Sequence, residues 1–128
     1  MDKEQLIEAA KKASLGAYAP YSHFKVGAAI LTEDGAVYTG CNVENISFGA
    51  TICAERTAAV KAVSEGHTRF TAVAVYADTE DYLYPCGICR QFLTEFAVPG
   101  MKVYACNNKG GHEEHTLSEV LPHAFERF

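Results

Sequence analysis

Leu6, Ala9, Ala10 and Ala13 recur at three- and four-residue intervals behind Asp2, a residue type that caps helices, and Gly16 supplies a stop. The spacing predicts an amphipathic helix. Ala17 to His23, with its tyrosines and Pro20, reads as a loop. Val26 to Leu31 is continuously apolar, Glu33-Asp34-Gly35 is turn chemistry, and Ala36 to Val43 half alternates, which together form a hairpin pattern. Asn42 to Thr51 is polar, contains glycine and lacks periodicity, so it reads as a loop. From Cys53 the pattern becomes helical through Ala54, Ala58, Ala59, Ala62 and Val63, ended by Gly66.

Phe70 to Ala77 mixes β-branched and small apolar residues, a buried strand. Pro85 then precedes a helical stripe of Cys86, Ile88, Cys89, Phe92, Leu93 and Phe96, closed by Pro99-Gly100. Met101 to Cys106 is expected as the next strand, Asn107 to Gly111 as a turn, Glu113 to Leu117 as a short fifth strand, and Ser118 to Leu121 as a helical turn. Strands alternating with helices of this length predict an α/β layered fold. The sheet should be mixed, because its first two strands form a hairpin.

Length and composition narrow the options. A chain of 128 residues with 48% hydrophobic side chains has material for one domain, residues 1–128, with a real core. Its net charge of −5 argues against a surface built for polynucleotide phosphates, so small substrates are expected and nucleic acid is not. No apolar run approaches the ~18 residues a membrane helix needs. The charged start Met1-Asp2-Lys3-Glu4 lacks the apolar stretch of a secretory signal, which predicts a cytoplasmic protein without membrane contact. Five cysteines, Cys41, Cys53, Cys86, Cys89 and Cys106, are an odd number that fits a metal site or redox chemistry better than a disulfide framework.

The chemistry concentrates in Cys53-Ala54-Glu55 and Pro85-Cys86-Gly87-Ile88-Cys89. Cys86 and Cys89 lie three apart at a predicted helix start, so both sulfurs can reach one ion beyond it. Cys53, at another helix start, supplies a third sulfur if the two helices lie side by side. Three thiolates and an open fourth position suit one catalytic Zn²⁺ per chain, whose bound water falls to a pKa near 7. Residues two apart do not share a helix face, so Glu55 joins the site only if Cys53 is the capping residue. A carboxylate there is placed to take a proton and return it to a leaving group. Three thiolates around Zn²⁺ leave a net −1, which the two helix N termini and the guanidiniums of Arg56 and Arg90 can offset by donating towards sulfur.

These motifs resemble the small, homotetrameric, zinc-dependent cytidine deaminases, and the resemblance runs from about Leu6 to Phe125. It implies a three-layer α/β/α sandwich around a mixed, roughly five-stranded sheet. The implied activity is hydrolytic deamination of cytidine and 2′-deoxycytidine to the uridine counterparts and ammonia, a step of pyrimidine salvage. In that reading Cys53, Cys86 and Cys89 hold the metal, Glu55 shuttles protons and Arg56 tunes the site. Asn42 and Glu44, in Asn42-Val43-Glu44-Asn45, hold the ribose hydroxyls, Phe24 packs on the pyrimidine, and Ala54 lines the substrate site. Phe125 is the aromatic that a neighbouring subunit lends, with the Ser47-Phe48-Gly49 loop at subunit contacts. Ile46 and His123 depart from the pattern, which has a small residue and a glycine there.

Other readings of the same residues exist. A C-x-x-C can be a structural zinc half-site or a redox pair, and a fourth sulfur from Cys41 or Cys106 would close the site to water; both are read as buried strand residues. A deaminase of a cytosine-bearing antibiotic such as blasticidin S shares the zinc motifs, and Asn42 with Glu44 favours the ribose substrate over it. A polynucleotide-editing deaminase lacks support from the acidic composition, and a structural zinc module that binds a partner would not need Glu55. His112 and His115 read as a solvated turn and strand edge.

Overall fold

The computed structural model describes all 128 residues, Met1 to Phe128. Helix α1 spans Lys3–Ser14 and opens with a capping box, in which the Asp2 side chain accepts from the Gln5 N–H and Gln5 reaches back to the Asp2 N–H. Strands β1 (Val26–Thr32) and β2 (Val37–Cys41) form the expected antiparallel hairpin, with Gly35 at φ 90° in its turn. Helix α2 covers Ala54–Ser64, β3 Phe70–Ala77, α3 Gly87–Thr94, β4 Ala97–Cys106, β5 His112–Thr116 and α4 Leu117–Val120. A short 3₁₀ turn, Phe48–Ala50, interrupts the loop between β2 and α2.

The five strands order β2-β1-β3-β4-β5, and only β3 and β4 run parallel, joined by the α3 crossover. Alternation along the strands sends side chains to two apolar layers. On one face Ala29, Ala72, Ala74, Tyr76 and Cys106 meet Leu6 and Ala10 of α1. On the other, Ala28, Ile30, Phe70, Val73, Val75 and Val103 pack under the alanines of α2, Leu93 of α3 and Leu117 of α4. The result is the three-layer α/β/α arrangement around a mixed five-stranded sheet.

Two glycines set how closely the helices approach. A Cβ on Gly27 of β1 would lie 2.0 Å from the Ala10 carbonyl oxygen of α1, and one on Gly40 of β2 would lie 2.4 Å from the Ala58 nitrogen of α2. The strands touch helix backbone there, and only hydrogen fits. Both helices therefore sit where their N termini have a fixed relation to the sheet.

β5 and α4 begin one residue earlier than the sequence pattern places them, and β4 differs more. The Pro99-Gly100 turn signal is real, but it lies inside β4 and not ahead of it. Phe70 pairs with Ala97 and Ala72 with Lys102, so β4 bulges outward by several residues that include Pro99 and Gly100, the latter at φ 80°. The α3 stripe accordingly ends at Thr94, and Phe96 packs on the core from the connection to β4. No helix is long and apolar enough to cross a membrane.

Candidate active site

Cys53 and Cys86 are the N-cap residues of α2 and α3, both in extended conformation and neither spent on a side-chain cap. Their sulfurs are free to turn outward, and α2 touches α3. Cys89 enters from the first turn of α3, fully buried. The three Sγ atoms lie within 4.8 Å of one another, and Cys53 and Cys86 are 3.7 Å apart. A tetrahedral zinc with bonds of about 2.3 Å separates its sulfurs by about 3.8 Å, so the donors are preset for that ion. Cys41 and Cys106 stand outside the group, in β2 and β4, and leave the fourth vertex without a protein sulfur.

Electrostatics favour a cation at the same point. The Cys53 thiol falls to about 5, first because Cys89 donates to it and then because Arg56 and Cys86 lie beside it. Cys89 is pushed up by that same bond to Cys53 and by burial. The sulfurs thus share protons, and three thiolates can coexist only around positive charge. Arg56 Nη2 lies 3.6 Å from Cys53 Sγ and donates to the Thr51 carbonyl at 3.3 Å, while its buried Nε has no partner. That places Arg56 against the sulfur cluster. Arg90 does not join it: Nε donates to the Pro85 carbonyl and Nη1 to the Val120 carbonyl, each at 2.7 Å, so its role is to brace the loop ahead of Cys86.

Glu55 is 4% exposed in the first turn of α2, where the capping position of Cys53 lets both residues face the same space. Burial pushes its carboxyl up to about 7, reinforced by the Cys53 charge and opposed by its own N–H, the Cys89 thiol and the Cys86 N–H. A cavity of about 270 Å³ opens in front of it. Phe24, Val26, Val75 and Leu83 form apolar walls, Ala54 and Glu55 adjoin Cys53 and Cys86, and Asn42, Glu44 and Ser22 form the polar rim. A larger cavity of about 820 Å³ lies between α3, β4 and the C-terminal tail and includes none of these residues.

The rim residues are already hydrogen-bonded. Asn42 holds the Phe24 segment in place, accepting from the Val26 N–H at 2.9 Å and donating to the Phe24 carbonyl at 2.8 Å. One N–H and one lone pair of its amide remain for a ligand. Glu44 accepts from the Tyr21 and Ser22 N–H groups and from the Ser22 hydroxyl, which hold its carboxyl below the usual carboxylate range, the hydroxyl most of all. Ser22, Thr51, Val75 and Leu83 carried no motif, and only the loop and strand assignments could have drawn attention to them.

Phe125 lies outside its own chain's cavity. The residue is 61% exposed, and the Gln91 side chain of α3 pairs twice with its backbone, donating to the carbonyl at 2.7 Å and accepting from the N–H at 3.1 Å. Ile46 is exposed on the loop before α2, and His123 adopts φ 56°, the left-handed region that glycine occupies easily.

A family model, "Cytidine and deoxycytidylate deaminase zinc-binding region", matches residues 1–105, which include all three cysteines, Glu55 and Arg56. The chain belongs to this family. The family match stops short of β5, α4 and Phe125. Among curated relatives, the cytidine deaminase of Sporosarcina psychrophila is 54% identical over 127 residues, covering 99% of this chain and 93% of that one. That of Halalkalibacterium halodurans is 52% identical over 125 residues, covering 98% and 95%. The crystal structure of cytidine deaminase from Burkholderia pseudomallei superposes with a TM-score of 0.93 at 47% identity, covering 98% of this chain and all of that one.

Proposed function

We infer that the chain is a zinc-dependent cytidine deaminase, releasing ammonia from cytidine or 2′-deoxycytidine to leave the uridine counterpart. The observation that carries this is three sulfurs within 4.8 Å of one another at two helix N termini, with Glu55 buried beside them at the end of a small cavity. The family match and the curated relatives point the same way.

Cys53, Cys86 and Cys89 would hold the zinc, which when bound would supply a water activated for attack at neutral pH. The remaining work falls to side chains. Glu55 accepts one proton of the attacking water and delivers it to N3 of the pyrimidine, then takes the remaining proton from the new C4 hydroxyl and carries it to the amino group, which leaves as ammonia while the C4 carbonyl forms. Phe24, Val26, Val75 and Leu83 clamp the ring and exclude water. The free N–H of Asn42 and the Glu44 carboxylate take the ribose hydroxyls. The Glu44 charge also repels phosphates, which favours free nucleosides over nucleotides or strands. Arg56 offsets the sulfur charge.

Residues 1–128 act as one catalytic domain in the cytoplasm, assembled as a homotetramer in which Phe125 of one subunit completes the site of another. Leu15, Ile46, Phe48 and Ile88 are exposed apolar side chains that such an assembly could bury between subunits. Gln91 supports the shared site by fixing where Phe125 is presented. The test is to incubate purified protein separately with cytidine and with blasticidin S, following ultraviolet absorbance and ammonia. Cytidine should be the faster substrate, and preference for the antibiotic would overturn the substrate assignment.

A further inference from the structure

Cys86 is the least securely housed of the three sulfur donors. Cys89 is buried within α3, whereas Cys86 is exposed at the end of the connection 78–86 from β3. The three residues ahead of it are each fixed by a hydrogen bond to a different element. The Leu83 N–H donates to the Cys106 carbonyl at the end of β4 at 3.0 Å, the Tyr84 hydroxyl donates to the Glu113 carboxylate on β5, and the Pro85 carbonyl accepts from Arg90 of α3 at 2.7 Å. The Tyr84 ring also rests against His115 of β5, with centroids 5.7 Å apart.

We propose that Tyr84 is a positioning residue for Cys86, and that its bond to Glu113 makes the edge strand β5 part of the metal-holding apparatus. Of the three anchors, the first is backbone and the third belongs to an arginine that also braces Val120. Tyr84 with Glu113 is the side-chain pair nearest Cys86, whereas Asn108 with Asp78 and Lys109 with Glu80 hold the far end of the connection. It lies two residues from the ligand, with a stiff proline between. Held, the connection presents the Cys86 sulfur 3.7 Å from Cys53. Released, the exposed donor would be free to swing away, which would leave the site one sulfur short and let a bound zinc go faster. β5 lies beyond the family match, so this support is separate from the motif residues.

The inference rests on the zinc reading above, and its test reads metal and not turnover. Zinc-loaded protein is mixed with excess chromogenic chelator and release is timed. Tyr84→Phe and Glu113→Ala should each release zinc about tenfold faster than wild type, the scale on which groups behind metal ligands act. The double variant should release no faster than either single one, as for one shared contact. Glu113→Gln, whose amide oxygen still accepts from the tyrosine, should stay near wild type, a rescue that a general loss of stability would not produce. Wild-type release from Tyr84→Phe and Glu113→Ala, or additive effects in the double variant, overturns the tether alone. A wild-type chain that binds no zinc overturns both readings.

Discussion

Placing a methyl group on Gly40 tests whether the sheet sets the position of the site. The added Cβ would lie 2.4 Å from the Ala58 nitrogen and 2.6 Å from the Ala54 carbonyl oxygen, against 3.4 Å or more in ordinary contact. Both obstacles are helix backbone, so no side chain can swing aside, and α2 must retreat from β2 by about 1 Å. Overpacking of this kind costs about 1–3 kcal/mol. At roughly 3–5 °C per kcal/mol for a chain of this size, Gly40→Ala should unfold about 3–15 °C below wild type. Ala54 sits between Cys53 and Glu55, so the same retreat moves a metal ligand and the proton carrier together. A misplacement of about 1 Å can lower turnover about a hundredfold. Differential scanning fluorimetry and steady-state deamination read the two effects, with Gly16→Ala, whose added Cβ meets its nearest atom at an ordinary 3.7 Å, as the neutral control. Wild-type stability and turnover in Gly40→Ala would refute the close approach of α2 to β2.

Arg56→Gln should lower turnover or zinc retention because the sulfur charge loses its guanidinium; unchanged kinetics with full metal content refute that role. His123→Val should lose about 1–2 kcal/mol and His123→Gly less than about 1 kcal/mol, because a β-branched residue resists φ 56° more than histidine or glycine; equal denaturation midpoints would contradict this. Glu44 has a folded pKa below its unfolded one, so its bonds to Ser22 and Tyr21 contribute above the unfolded value and are lost as pH falls through the folded value. The Glu44 contribution to KM for cytidine should therefore hold steady through the change that Glu55 brings near pH 7 and be lost only below the usual carboxylate range, where KM climbs. Ser22→Ala should move that climb to higher pH, and an unmoved onset would remove Ser22 from the account.

Much of the fold and of the site is legible in the sequence. Cys53 and Cys86 read as helix starts because the alanine-rich and Phe/Leu stripes begin directly behind them, and both prove to be N-caps. Phe70–Ala77 matches its strand because buried strands are continuously apolar. Less local features were hidden. Pro99-Gly100 signals a turn wherever it occurs, and only pairing with β3 decides that the turn is a bulge within β4. Arg90 beside Cys89 looked able to reach sulfur, yet its place on α3 directs it to the Pro85 and Val120 carbonyls. The Ser22 contact with Glu44 and the Tyr84 contact with Glu113 join residues more than twenty positions apart, which no periodicity reports.

The most direct test of the central claim is zinc content and cytidine turnover measured on one preparation of Glu55→Gln. The account predicts about one zinc per chain, a native fold and nearly complete loss of deamination, because the sulfurs hold the ion and the carboxylate moves the protons. Retained turnover, or a wild-type chain without zinc, would contradict it.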